Sequence, residues 1–269
     1  MAANFWTSNH CKGLVPPESL NDIHPRDYEL GFTQDQVLDI VNFYTQFIND
    51  LAKSLKLRQR VVATAVVYLR RFYSRNPLSE HDPRVVSRAC LYVAAKAEEC
   101  TVQVRNLRCH MDKRQQRLPS GASSGTAKDP TAKEVLDYEL RIMEELDYSL
   151  VVFHPYRPLS LFAKDARLPS ELVESAWAVV NDMYFTNLPL AYAPHTLALG
   201  AIYTAAVVKQ KDIDAWMSGL NVDMDKVYEV GLQLLEMYGG FRGIISQDEC
   251  HRLMASAQAR SAGLRAAAA

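Results

Sequence analysis

Several familiar patterns are missing from this sequence, and each absence removes a class of function. There is no Gly-rich phosphate loop and no HExxH pair, so nucleotide-cradling and zinc-protease sites are not expected. The five cysteines, Cys11, Cys90, Cys100, Cys109 and Cys250, form no CxxC pair. Thiols scattered in this way read as reduced and intracellular rather than as a disulfide framework. Cys109-His110 with Cys100 nearby is the one group that looks like a ligand set, and its spacing matches no zinc pattern. Neither a metal nor a cofactor is expected.

Long apolar runs are also lacking. The longest, Leu197–Val208, is too short to span a bilayer. The opening MAANFWTSNH has no basic region leading into an apolar one, so no secretory signal is expected. Neither sign of charge dominates, with 30 Lys and Arg against 31 Asp and Glu. A nucleic-acid binder usually shows a basic face, and the clusters Arg70-Arg71 and Lys113-Arg114 are short and diluted. Direct contact with nucleic acid is therefore not expected. Strand signals are nearly absent, which leaves an all-α reading.

What is present is helical periodicity. Just under half of the 269 residues are apolar, enough for one large core or two modest ones. Thr33 with Gln36 makes a capping box ahead of Val37, Ile40, Val41, Tyr44, Phe47 and Ile48. A second helix is expected over Arg58–Arg75, stopped by Asn76-Pro77. The third, Pro83–Glu99, is apolar nearly all round, as a helix in the middle of a domain is. Asp82 is its expected N-cap and Pro83 suits its first turn. A weaker helix is expected at Val102–Arg114, then a mobile Ser/Gly/Pro-rich loop through Pro130. The fifth helix, Thr131–Tyr148, has Leu136, Leu140, Met143 and Leu146 as its expected core stripe.

His154-Pro155 to Pro158 breaks the chain. Further helices are expected over Glu171–Asn187, from Pro194 through Val208, over Asp212–Leu220 and over Asp223–Tyr238. The Ala-, Arg- and Ser-rich end reads as a frayed helix or disorder. Phe5 and Trp6 stand in an otherwise polar tip, docked on a partner or covering a local apolar spot.

The two halves match each other. Laying Arg71–Ala95 over Asp182–Ala206 pairs Tyr73 with Tyr184, Asn76 with Asn187, Pro83 with Pro194 and Tyr92 with Tyr203. This reads as one helical module built twice. The division expected is an N-terminal segment (1–31), a first module (32–150), a second (151–240) and a mobile tail (241–269).

The differences between the copies are informative. Lys96 falls opposite Val207. If Leu136 and Met143 are laid over Val227 and Leu234, Glu139 falls opposite Val230. A charge kept in only one copy is not demanded by the shared core. Lys96 and Glu139 are therefore expected to face a partner, although an ordinary surface ion pair would read the same and would do little.

CLYVAAKAEE followed by DYELRIMEELDY resembles the cyclin box, the repeated all-α module of the cyclin family. NFWTSNH, LKLRQRVVATAVVYLRRFY, VFHPYRPL, VNDMYFTNLPLAY and QKDIDAWMSGLNVDMDKV carry the resemblance to the C-type transcriptional cyclins from about Asn4 to Tyr238. The loop 113–130 and the chain after Gly239 depart from it. The resemblance implies a regulatory subunit, not an enzyme, whose partner is the cyclin-dependent kinase of the Mediator kinase module. It implies action on RNA polymerase II transcription in the nucleus. It also implies that Lys96 and Glu139 grip the regulatory helix of that kinase, with Glu99, Val135 and Ile142 beside them. A second groove, for other Mediator kinase-module subunits, is expected around Trp6, Glu98, Trp177, Asn181 and Asp182. The MRAIL docking motif of cell-cycle cyclins is absent, the first helix reading QDQVLDIVNFY. The other readings weighed are an H-, T- or L-like transcriptional cyclin, or a DNA-bound factor IIB-like protein, which would need a basic surface and a zinc ribbon that this chain lacks.

Overall fold

Two very apolar helices, each opened by a proline, organise the chain. A computed structural model describes residues 4–107, 130–240 and 242–267. The longer helices, in chain order, are α1 (Gln34–Ser54), α2 (Gln59–Arg75), α3 (Pro83–Ala97), α4 (Ala132–Glu145), α5 (Tyr156–Asp165), α6 (Ser170–Met183), α7 (Pro194–Lys209), α8 (Met224–Gly240) and α9 (Gln247–Ala267). No strand occurs among the described residues. Cys109-His110 and the loop from 113 to 129 lie outside them, as does the end of the weaker helix expected at Val102–Arg114.

The chain divides into two units. One joins Asp22–Leu150 to Ile244–Ala269, the other Met1–Asn21 to Val151–Gly243. In the first, α3 packs against α1, α2 and α4. Its small residues Ala89, Ala94 and Ala95 are buried and let those neighbours approach. Asp82 caps it by accepting from the Arg84 N–H. Thr33 and Gln36 close the expected capping box on α1, and Thr131 and Glu134 close another on α4.

The second unit repeats this plan. Here α7 is the middle helix and packs against α5, α6 and α8. Gly200 lies at the α7–α8 crossing, where a Cβ would stand only 2.9 Å from the Cβ of Val230.

Besides α5, which runs through Pro158 where a break in the chain was expected, the structure differs from the sequence expectation in three features. The segment 1–31 is divided: residues up to Asn21 belong with the second unit and those from Asp22 with the first. Asp27, buried, accepts from the backbone N–H groups of Leu78 (2.8 Å) and Ser79 (3.3 Å). The end of the chain forms α9, which packs on α1. Cys250 and Ala257 are buried there, and Arg260 Nη1 donates to the carbonyl of Leu30 at 2.7 Å. Gly31 sits at a positive φ of 77°, with the Arg260 guanidinium where a Cβ would point.

The third correction concerns α4. Leu136 and Leu140 are exposed, at 44% and 53%, whereas Val135 and Ile142 are buried at 2% and 0%. The inward stripe runs one residue away from the expected one, and only Leu146 of the expected set is fully buried. The repeat register shifts with it: Val135 and Ile142 match the buried Val227 and Leu234, so Glu139 matches Gly231 rather than Val230.

Candidate functional site

Lys96 ends the exposed side of α3, and Glu139 lies at the middle of α4, the helix packed beside it. Lys96 Nζ donates to Glu139 Oε1 at 2.7 Å. The same ammonium lies 4.3 Å from the centre of the Tyr92 ring, one turn earlier on α3. The hydrogen bond to Glu139 raises the Lys96 pKa above its ordinary value, against a smaller opposing effect of desolvation. The lysine therefore stays charged on an exposed edge, and Leu136 and Leu140 of the neighbouring α4 are exposed too. A strip of this kind offers one charged pair to fix register and apolar area for affinity. Nothing in it resembles a nucleophile–base arrangement.

The other residues expected here are placed differently. Glu99 is exposed, in a left-handed backbone conformation (φ 55°) just past the end of α3. Glu98, one residue earlier, turns inward: it accepts from Thr64 Oγ1 at 2.9 Å and pairs with Arg60 Nε at 2.7 Å. Val135 and Ile142 were expected to give a partner apolar area; being buried, they belong to this unit's own core. The apolar side chains that α4 does expose are Leu136 and Leu140. Tyr92 stands out in the sequence only as the repeat match of Tyr203, and its place at the site is hidden because an aromatic on a greasy helix reads as core. The sequence signal for that place is the four-residue step to Lys96.

In the second unit, Trp177 stacks on Tyr156 with ring centres 4.9 Å apart. Tyr156 donates its hydroxyl hydrogen to Asn181 Oδ1 at 2.9 Å. Asp182 Oδ2 accepts from the Tyr238 hydroxyl at 2.9 Å, which helps to raise the tyrosine's pKa after the larger effect of burial. Trp6 is 64% exposed and leans on His195, ring centres 5.3 Å apart. Its neighbour Phe5 joins His10 and Phe153. Trp177, Asn181 and Asp182 thus form one ledge on α6, while Glu98 belongs to the other unit.

A family model described as the N-terminal domain of cyclins matches residues 23–151. Over 243 residues the chain is 41% identical to Cyclin-C1-1 of Oryza sativa subsp. japonica, covering 90% of this chain and 91% of that one. It is 41% identical to Cyclin-C1-1 of Arabidopsis thaliana over 248 residues, 92% and 95% of the two chains. The chain belongs to the cyclin family. It is a cyclin C-like member, and its all-helical fold matches a chain of the CAK complex from Chaetomium thermophilum bound to ATP-gamma-S. That match has a TM-score of 0.68 at 16% identity, covering 87% of this chain and 79% of the other. In this cyclin the matched N-terminal domain contains both Lys96 and Glu139. The second unit carries neither, with Val207 and Gly231 at the matching positions.

Proposed function

We propose that this cyclin is the non-catalytic regulatory subunit of a cyclin-dependent kinase, the kinase of the Mediator module, and acts on RNA polymerase II transcription in the nucleus. The observation that carries the reading is the Lys96–Glu139 pair on an exposed strip of the first unit, with no counterpart in the second. The exposed ammonium can turn, and the seated carboxylate can offer its second oxygen, to hydrogen-bond a helix laid across α3 and α4. Phosphoryl transfer by a protein kinase requires its own Lys–Glu ion pair to be assembled, and the glutamate of that pair rides on a mobile helix. A cyclin that binds the inward position of this helix better than the outward one shifts the kinase toward activity. Moving such a balance from mostly off to mostly on takes a difference of roughly 5 kcal/mol, within reach of an interface of about 1,600 Å².

The test is charge reversal. Lys96→Glu and Glu139→Lys are expected to lose kinase co-purification and kinase activity while keeping wild-type helicity by circular dichroism. Full binding and activation by both variants would discard the reading.

A second partner surface follows from the α6 ledge. Asn181 and Asp182 are half-buried beside the Tyr156–Trp177 stack and are held by tyrosine hydroxyls, a pre-ordered polar edge suited to another subunit of the kinase module. Asn181→Ala with Asp182→Ala is expected to reduce recovery of that subunit and leave kinase binding intact. Undiminished recovery removes this surface.

A further inference from the structure

The repeat puts a second strip on the second unit, at the α7–α8 edge. With the register set by the buried residues, Tyr228 and Leu232 stand where Leu136 and Leu140 stand in the first unit. All four are exposed: 46% and 57% in the second unit, 44% and 53% in the first. Core packing does not account for apolar side chains held in water at the same two places in both copies. The charged pair, however, has been replaced. Val207, 45% exposed, takes the lysine's position and Gly231 the glutamate's.

That replacement shapes the surface. Gly231 lets the Tyr203 ring lie against α8, since a Cβ there would fall 2.7 Å from a ring carbon. Tyr203, the counterpart of Tyr92, packs edge-on against Tyr228 with ring centres 5.1 Å apart instead of carrying a cation. The outcome is an open groove of about 420 Å³ lined by Tyr203, Asp225, Tyr228, Glu229, Leu232 and Leu235. The charged residues of that lining are both carboxylates. Lys209, at the end of α7, is paired with Glu171 at 3.2 Å.

We propose that this groove docks an amphipathic helix of another protein, one with an apolar stripe and flanking Lys or Arg residues. The stripe lies along Tyr228, Leu232 and Tyr203, and the flanking cations meet Asp225 and Glu229. The groove's walls, charge and symmetry together select this occupant. Both walls are helices, so there is no sheet edge for an added strand. The acidic rim favours a basic partner and repels an acidic one. A second copy of this chain docked face to face would set Asp225 and Glu229 against the same carboxylates, because a two-fold interface brings identical patches together. The proposal stands independently of what Lys96 and Glu139 bind.

The experiment uses the full chain and a fluorescein-labelled model peptide of about five helical turns, with leucines at three- and four-residue steps and lysine flanks. Its controls are the same peptide with glutamate flanks and a scrambled peptide of equal composition. Anisotropy is expected to show the lysine-flanked peptide binding at least about tenfold tighter than either control. Leu232→Lys and Tyr228→Ala, both at exposed positions, should each weaken it by about tenfold with unchanged circular dichroism and melting temperature. Hydrogen exchange should show peptide-dependent protection of Met224–Glu236. Equal binding of the lysine- and glutamate-flanked peptides, undiminished binding by Leu232→Lys, or protection on Ala132–Glu145 instead would overturn the proposal. So would a homodimer in sedimentation that Leu232→Lys converts to monomer, since the occupant would then be a second copy.

Discussion

Lys96 Nζ and Glu139 Oε1 meet at 2.7 Å, and the two side chains share solvent unequally, 52% of the lysine's area being exposed against 16% of the glutamate's. The glutamate is the seated partner and the lysine the one free to turn. A surface pair of this kind contributes only about 0–1 kcal/mol to folding. Exchanging the two charges, Lys96→Glu with Glu139→Lys, rebuilds the pair with its polarity reversed. The double variant is expected to melt within a few degrees of wild type and still fail to activate the kinase. Melting temperature and kinase activity measured on the same preparation separate the two roles, and recovered activation would show that polarity is unimportant.

The one-residue shift on α4 gives opposite expectations for neighbouring side chains. Ile142 is fully buried, so Ile142→Ala should cost about 2–5 kcal/mol of stability in denaturant titration. Leu140 is 53% exposed, so Leu140→Ala should alter stability by less than about 0.5 kcal/mol. Kinase affinity should fall for Leu140→Ala, measured by titration of the folded variant.

His81 is buried, with Nδ1 3.2 Å from the Tyr138 hydroxyl and Nε2 3.3 Å from Arg141 Nη2. Burial, then the Arg141 cation, pushes its pKa below the ordinary 6.5, while Glu80 and Glu145 pull weakly the other way. The folded protein therefore holds His81 neutral. Its contribution to stability is present above the unfolded value and is lost as pH falls through 6.5 toward the lower folded value. Melting temperature should drop between neutral pH and about pH 5 more steeply in wild type than in His81→Gln. His81→Gln also loses the edge contact with Phe72, so the slope with pH, not the starting value, decides the matter.

Cys250 of α9 is buried and hydrogen-bonded to the Tyr44 side chain. Burial pushes its thiol up to about 12, so little thiolate forms at neutral pH. Iodoacetamide should leave Cys250 unmodified in the native protein and modify it once α9 undocks. Arg260→Ala removes the hydrogen bonds to Leu30 and Gly31 and should speed modification at Cys250, read by peptide mass spectrometry. An equal rate in both proteins would mean that Arg260 does not hold the helix down.

Much of this cyclin is legible without coordinates because its signals are local. A capping box needs only Thr33 and Gln36, and a first-turn proline only Pro83 or Pro194. The internal repeat is a property of letters and spacing. Lys96 and Glu139 stood out because one copy has them and the other does not. Arg88 did not: it lies fully buried in α3, its guanidinium 5.0 Å from the centre of the Phe47 ring and donating to the Arg84 carbonyl at 2.8 Å. Nothing local separates it from a solvated arginine.

The sequence by itself determined the helices and their caps, which depend on residues within a few turns of each other, and the doubled plan and the asymmetry of one charged pair, which follow from laying the two copies side by side. Tertiary structure alone decided which face of α4 is inside. Val135 and Leu136 are adjacent apolar residues, and only the shape of the surface on α3 and α2 selects between them. It also decided that the last helix seats on α1, because burial of Cys250 and Ala257 needs a partner surface some 200 residues away in the chain.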